Sequence, residues 1–266
     1  MRRSFILVAA ALVAACQSAT ISREHIAEIV ASPDRSAADR TNDRRRKPEL
    51  MLAFIGVRPG MQVMDLSAGG GYTTELLARA VGPAGKVYGQ SPPPDPNRPK
   101  PAAPEAGASP AAPAPRLTSA QRLAERAKNP NAGNIVAVVR PFEDPAPPEA
   151  AAGSLDLVTL MFNYHDLGYL GVDRARMNRA AFNALKAGGM YVVADHSGRP
   201  GTGISEGGTL HRVEEALVRR EIEAAGFKLA EEGDFLRNPN DPRDRNTPEP
   251  PMPKDEFVLK FVKPPR

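Results

Sequence analysis

A run of three glycines at residues 69–71 constrains the fold of this chain more than any other feature. The mostly apolar residues 61–66 before it predict a strand, and residues 72–81 after it predict a helix. Glycines allow a sharp turn and let a ligand approach the backbone without a Cβ in the way. The helix that follows presents free N–H groups and the positive end of its dipole at the same place. This strand, turn and helix therefore predict a ligand site.

The same alternation continues along the chain, with apolar runs that predict strands and amphipathic runs that predict helices. Such a pattern indicates an α/β fold, in which helices cover both faces of a mostly parallel sheet. We predict further strands over residues 86–89, 135–139, 155–162, 190–194, 227–232 and 257–262, and helices over residues 48–55, 117–128, 172–186 and 210–225.

Residues 1–15 have the pattern of an export signal peptide. Two arginines precede an apolar run over residues 5–15, which is too short to span a bilayer. Small residues just before Cys16 resemble the signal of bacterial lipoproteins, in which the cysteine is lipidated and becomes the first residue. An ordinary secretory peptide is the alternative. Gln17 favours the outer membrane by the same resemblance, so we expect an exported chain held on the periplasmic face by a lipid anchor alone.

Composition excludes several other classes of protein. Hydrophobic residues make up 41% of the chain and charged residues 25%, which is enough for a buried core. The net charge of +4 falls to +2 (33 − 31) without the two arginines of the signal, so nothing demands a nucleic-acid partner. Cys16 is the only cysteine, which excludes disulfides and thiolate metal sites from the mature domain.

The chain after the signal divides into two parts. Residues 16–47 predict a polar, helical N-terminal segment, and residues 48–266 predict the main domain. Residues 91–115 interrupt that domain with ten prolines and seven alanines, a composition that predicts a disordered insert at the rim of the sheet. The basic run over residues 44–47 is either a solvated helix face or a patch for phosphate groups or lipid headgroups.

Residues 65–71 read D-x-S-x-G-x-G, which resembles D/E-x-G-x-G-x-G, the first motif of class I S-adenosylmethionine-dependent methyltransferases. Without further landmarks, such a turn could equally mark a nicotinamide or flavin site. Three later features resemble landmarks of that family: Asp156 at the start of a buried strand, the Ala-Gly-Gly turn at 187–189 and the Ala-Gly-Phe turn at 225–227. An exported subfamily of predicted methyltransferases is similar to this chain around residues 163–166, 195–196, 211–212 and 236–239.

The resemblance covers residues 48–262 and implies a Rossmann-like fold with a seven-stranded sheet and S-adenosylmethionine as the cofactor. Ser67 departs from the family because a glycine usually stands there. Gln90 departs from it because the second strand usually ends in an acidic residue that binds the ribose. Pro141 cannot bind the adenine as the family's Asp does, which leaves Phe142 or Glu143 for that contact. The residues that the resemblance implies for cofactor binding are Asp65, Ser67, Ala68, Gly69, Gly70, Gly71, Tyr72, Gln90, Phe142, Glu143 and Asn163.

Three of the four histidines lie at the ends of predicted elements: two follow strands, and the third lies at the start of a helix. Because carboxyl ends of parallel strands meet in one crevice, His165, Asp166, Asp195, His196 and His211 should converge there as catalytic residues. His165 is the first candidate for a general base, and Asp166 or Asp195 could orient it. Helix capping is the alternative role. These residues could also hold a divalent metal, although their wide spacing is a weak signal and no metal is assigned.

These observations together predict methyl transfer to a small molecule or an envelope component. The alternative is an envelope lipoprotein that uses the same fold to bind a ligand or partner without catalysis. No G-x-S-x-G turn is present, which argues against an α/β-hydrolase. The sequence does not indicate an oligomeric state.

Overall fold

The computed structural model describes residues 20–99, 102, 117–246 and 253–265. Its strands are β1 (Gln62–Leu66), β2 (Lys86–Ser91), β3 (Ile135–Val139), β4 (Leu155–Met161), β5 (Leu185–His196), β6 (Lys228–Gly233) and β7 (Glu256–Val262). Within the described ranges they form one seven-stranded sheet in the order β3-β2-β1-β4-β5-β7-β6. All neighbours are parallel except β7, which runs antiparallel to β5 and β6. The predicted α/β fold with a mostly parallel sheet is confirmed.

Helices cover both faces of this sheet. They are α1 (Arg23–Ala31), α2 (Ala37–Arg46), α3 (Pro48–Ile55), α4 (Tyr72–Val81), α5 (Ser119–Arg126), α6 (Asp166–Tyr169), α7 (Arg174–Ala184), α8 (Gly207–Leu210) and α9 (Glu215–Ala224). Neighbouring residues of one strand enter different cores, because successive side chains in a strand point to opposite faces. Val63 packs in the core with α1, α3 and α4, whereas Met64 packs in the core with α7 and α9.

The N-terminal helices belong to the same packed body as the sheet. The side chains of Ser22 and Ser36 cap α1 and α2 by accepting hydrogen bonds from backbone N–H groups. Ile26 and Ile29 of α1 then pack into the core that contains Leu52 of α3. The segment predicted as a separate N-terminal part therefore contributes a wall of the main domain.

Two predicted helices differ from the observed ones. The helix predicted over residues 210–225 is broken, because His211 takes a left-handed conformation with a φ of 51°. Arg212 is then fully buried and forms an ion pair with Asp241 at 2.7 Å, and α9 begins only at Glu215. The helix predicted over 172–186 ends earlier, at Ala184, and β5 begins before the glycines at 188–189, which form an irregularity in that strand.

Several sequence predictions fall on residues outside the described ranges. They are the signal peptide, the lipidation site Cys16 and most of the proline-rich insert, namely residues 100, 101 and 103–115. The described part of the insert differs from the prediction at its start, since Ser91 is the last residue of β2. None of the helices in the described part of the chain is long and apolar enough to cross a membrane.

Candidate functional site

The glycine turn joins β1 to α4 and has three residues in the left-handed region. Ser67, Gly69 and Gly71 have φ angles of 56°, 55° and 81°. A Cβ on Gly71 would lie 2.7 Å from Cδ of Arg126, so this position has room only for glycine. By contrast, a Cβ on Gly70 would meet nothing within 4 Å. The turn is therefore held tightly on its α5 side and is open above Gly70.

Asp65 lies beneath this turn and does not face the solvent. Its two carboxylate oxygens accept hydrogen bonds from the hydroxyls of Thr74, at 2.6 Å, and Thr159, at 2.7 Å. Burial raises the pKa of Asp65 to about 6, although the two hydroxyls act in the opposite direction. The structure thus assigns Asp65 a role in fixing the turn to β4 and α4, in place of the direct cofactor contact that the resemblance implied.

Gln90 also supports the turn, although a ribose contact was predicted for it. Its side chain is fully buried, accepts a hydrogen bond from Ser67 N at 3.0 Å and donates one to Arg140 O at 2.7 Å. Its backbone carbonyl accepts from Ala68 N at 2.8 Å. Ser91, one residue later, points the other way, and its buried hydroxyl makes no hydrogen bond with any described residue.

A cavity of about 380 Å³ lies at the carboxyl ends of β1, β2 and β4, where Ser91 meets the glycine turn. Of the predicted site residues, Ser67, Gly69, Phe142, Asn163 and Asp166 line it. The sequence analysis missed the remaining lining residues, which are Ser91, Ser119, Tyr169, Leu170 and the start of the insert with Pro92, Asp95, Pro96, Arg98 and Pro99. The described part of the insert therefore forms a wall of this cavity.

Two predicted cofactor residues lie elsewhere. The hydroxyl of Tyr72 donates a hydrogen bond to Asp43 of α2 at 2.7 Å, so this ring joins the N-terminal helices to α4. The carboxylate of Glu143 accepts a hydrogen bond from Asp173 N, at 3.0 Å, just before α7. Neither side chain lines the cavity.

A chain of hydrogen bonds crosses the cavity floor. Ser67 Oγ lies 2.5 Å from Asn163 Oδ1, to which it donates, and Asn163 Nδ2 donates to Asp166 Oδ2 at 2.5 Å. Asn163 therefore fixes the carboxylate of Asp166 relative to the glycine turn. This contact between residues far apart in sequence left no signal in the sequence pattern.

Behind Asp166, His165 is buried between two carboxylates. Its Nδ1 lies 2.6 Å from Asp195 Oδ1, and its Nε2 lies 3.2 Å from Asp166 Oδ1. Burial by itself lowers the pKa of His165, but the Asp195 and Asp166 carboxylates outweigh it and raise that pKa to about 10. Both ring nitrogens of His165 face carboxylates and its side chain does not line the cavity, so its role as a general base stays a prediction.

The other two predicted catalytic histidines differ in what they face. His211 Nδ1 lies 3.6 Å from Asp166 Oδ1, and its ring meets the His165 ring edge-on with the centroids 5.4 Å apart. His196 instead lies 2.9 Å, through Nδ1, from Glu256 Oε1 of the neighbouring strand. The structure therefore brings His165, Asp166, Asp195 and His211 together and places His196 beside them, facing β7.

A larger cavity of about 670 Å³ lies at the opposite edge, near the amino ends of β2 and β3. Residues such as His25, Arg79 and Lys86 line it, and none of the predicted site residues does. In open parallel sheets ligands bind at the carboxyl ends of the strands, where loops from several strands converge. The smaller cavity is therefore the candidate site.

No protein-family model matches this sequence, and no curated protein matches it either. Solved structures do resemble the fold. An S-adenosylmethionine-dependent methyltransferase from Aquifex aeolicus has a TM-score of 0.56 at 15% identity, with 91% of this chain and 99% of that chain covered.

Two further structures share the fold and differ from each other in reaction. Geranyl diphosphate C-methyltransferase from Streptomyces coelicolor has a TM-score of 0.55 at 13% identity, covering 88% of this chain and 87% of its own. The [4+2]-cyclase SpnF has a TM-score of 0.55 at 16% identity, covering 86% and 81%. This chain therefore has the fold of S-adenosylmethionine-dependent methyltransferases, a fold that also carries other chemistry.

Proposed function

We propose that this protein binds S-adenosylmethionine in the 380 Å³ cavity and transfers its methyl group to a small molecule or an envelope component. One observation carries the proposal. The glycine turn, the buried Ser91 hydroxyl and the Asp166 carboxylate, from three different strand ends, meet in a single cavity. The volume lies within the roughly 300–1,000 Å³ that small-molecule sites occupy.

The residues present fit the polar parts of this cofactor. The Ser91 hydroxyl is buried without a hydrogen-bond partner among the described residues, and such a group usually has one. Gly69 brings backbone without a side chain to the cavity wall, and Phe142 supplies an apolar surface. Ser91, the Gly69 backbone and Phe142 would hold the cofactor, which supplies an electrophilic methyl group when it is bound.

The residues around Asp166 define what the protein itself contributes. Burial raises the pKa of Asp166, but contacts with His165 and His211 outweigh it and hold that pKa well below its usual range. An ionised carboxylate at the cavity wall accepts a hydrogen bond from an O–H or N–H group and so orients an acceptor for attack. Residues at the start of the insert, such as Asp95 and Arg98, add further polar groups to the cavity wall.

The place of action follows from the N-terminal sequence, which favours export and a lipid anchor at Cys16. We propose that the acceptor is therefore found in the cell envelope. The alternative, a ligand-binding lipoprotein without catalysis, shares the cavity but requires no turnover.

Isothermal titration of the purified chain with S-adenosylmethionine tests the proposal. Ser91→Ala should weaken binding by roughly 2- to 10-fold, because one hydrogen bond contributes about 0.5–1.5 kcal/mol. The same change should leave the thermal midpoint unchanged or higher, since it removes an unsatisfied buried hydroxyl. Ser154→Ala, which removes another buried and unsatisfied hydroxyl far from the cavity, is the matched control and should not change binding.

Radioactive methyl-labelled S-adenosylmethionine, incubated with the chain and an envelope extract, separates the two functions. Label transferred to an extract component supports methyl transfer, and Asp166→Asn should reduce it. Binding without any transfer favours the non-catalytic alternative. A wild-type chain that binds no S-adenosylmethionine contradicts the proposal.

A further inference from the structure

Two imidazoles converge on one carboxylate oxygen behind the cavity. His165 Nε2 lies 3.2 Å and His211 Nδ1 3.6 Å from Asp166 Oδ1, and one ligand atom from each of these residues lies within 4.8 Å of the other two. An ion about 2.1 Å from each ligand in a tetrahedral site needs ligand atoms about 3.4 Å apart. The observed spacing is close to that requirement.

The two carboxylate oxygens of Asp166 differ in their surroundings. Asp166 Oδ1 is buried and makes no hydrogen bond with any residue that the structure describes, although two imidazole nitrogens face it. Asn163 already bonds the other oxygen, Oδ2. Two imidazole nitrogens thus converge on one buried carboxylate oxygen, which is how ligands are arranged around a metal ion.

Asp195 orients one of the two imidazoles for such a ligand. It binds His165 through Nδ1 at 2.6 Å and through the backbone N–H at 2.8 Å, which directs Nε2 towards Asp166. Histidines that bind metals usually have their other ring nitrogen bonded to a carboxylate or carbonyl in this way. Asp195 and Asp166 together also supply two negative charges, which match a divalent cation.

We propose that His165 Nε2, Asp166 Oδ1 and His211 Nδ1 bind one divalent transition-metal ion of the class that Zn²⁺ represents. Two nitrogen ligands favour such an ion over Mg²⁺ or Ca²⁺, which prefer oxygen ligands. His196 is not part of the set, since its Nδ1 lies 2.9 Å from Glu256.

This site goes beyond the proposed methyl transfer and does not depend on it. Asp166 is the ligand that also lines the cavity, so open coordination positions of the ion would be reached from that side. An oxygen or nitrogen acceptor that enters the cavity could therefore bind the ion directly. The other two ligands are almost completely buried and shield the ion from solvent.

Titration of the metal-free chain with Zn²⁺, in competition with a chromophoric chelator, tests this inference. The wild type should bind one ion per chain. His211→Asn should raise the Kd for Zn²⁺ by at least about 100-fold. Loss of a residue that only orients a metal ligand raises the Kd by roughly 10–100-fold, so a larger effect identifies His211 as a ligand. Asparagine suits this position because it tolerates the positive φ observed at His211. Asp166→Asn should weaken binding similarly.

Two other histidines provide controls. His25→Gln, on the half-exposed imidazole of α1, and His196→Gln, beside the site but facing β7, should each leave the Kd within about 10-fold of the wild type. X-ray absorption of the Zn²⁺-loaded wild type should show two imidazole ligands, and this measurement does not depend on how any variant folds. A wild type that binds no Zn²⁺, a site without two imidazoles, or equal losses in the His196 and His211 variants would overturn the inference.

Discussion

Two clusters of paired charges stabilise this protein, and they use different cations. The first, which we call the guanidinium network, joins the N-terminal helices to α4 and α5. It consists of Arg35, Arg79 and Arg126 with Asp34, Asp39, Asp43 and Glu75. The second, the imidazole cluster, consists of His165 and His211 with Asp166 and Asp195 at the carboxyl edge of the sheet.

The chemistry of the cations separates their roles. Arginine stays charged at every physiological pH and forms paired hydrogen bonds with a carboxylate, as Arg79 does with Asp34. Imidazole can exchange its proton, and its nitrogens can bind a metal. Buried ion pairs therefore fix the N-terminal helices in one region, whereas in the other region they hold side chains that could bind the proposed metal ion.

Breaking the guanidinium network should have the largest effect. Arg126 forms ion pairs with Asp39 and Glu75, and its Nε donates a hydrogen bond to Gly70 O at 2.6 Å. Arg126→Met keeps an unbranched apolar stem but removes the guanidinium group from two buried carboxylates, Asp39 and Glu75. We expect the free energy of unfolding in urea to fall by between about 3 and 5 kcal/mol.

Arg219 offers a matched control for that substitution, because its ion pairs with Glu223 and Glu232 are exposed. Arg219→Met should lower the free energy of unfolding by at most about 1 kcal/mol. Equal effects at the two arginines would contradict the structural role assigned to the network.

Asp65 differs from the carboxylates of both clusters, because it is buried and accepts hydrogen bonds from two hydroxyls in place of a cation. Its pKa rises from 3.8 to about 6 on folding, so the folded chain holds this proton more tightly than the unfolded chain. Its contribution to stability therefore falls as the pH rises from about 4 to about 6, and stays low above pH 6. The total loss is about 3 kcal/mol.

Asp65→Asn should remove this pH dependence, because an amide can still bond both threonine hydroxyls. Urea unfolding of both chains between pH 4 and pH 7 provides the measurement. The stability of the variant relative to the wild type should increase across that window. A constant difference would show that the carboxylate is not desolvated as described.

The glycine turn lies between the guanidinium network and the cavity. Its last two glycines differ in their surroundings, because only at Gly71 would a Cβ meet a residue of that network, Arg126. Gly71→Ala should lower the free energy of unfolding by about 1–2 kcal/mol, because φ is positive and the new Cβ meets Arg126. Gly70→Ala enters open space and should change it by less than about 0.5 kcal/mol. Denaturant unfolding measures both free energies. A larger loss in Gly70→Ala than in Gly71→Ala would contradict this account.

Local patterns in the sequence were sufficient for the fold. The bounds predicted for α4 and β3 match the structure, because an amphipathic run ends at Gly82 in one case and a short apolar run is bounded by polar residues in the other. The helix predicted over 210–225 failed because buried contacts of Arg212 with residues far along the chain override local helix propensity.

The site was harder to predict, because its details depend on one-residue shifts and long-range contacts. The prediction ended β2 at Gly89 and placed the ribose contact at Gln90, whereas the strand continues and its alternation directs Ser91 into the cavity. Strand ends correctly suggested that His165 and Asp166 approach Asp195. The sequence could not show that His165 would be enclosed by both carboxylates.

Hydrogen–deuterium exchange with and without S-adenosylmethionine tests the central claim most directly, because it reports which edge of the sheet binds the cofactor. We expect slower exchange in the glycine turn, at residues 67–71, and at Asp95 and Arg98 of the insert. Residues 82–86 and 131–134, beside the larger cavity at the amino edge, should be unchanged. Protection at the amino edge, or at neither edge, would contradict the account.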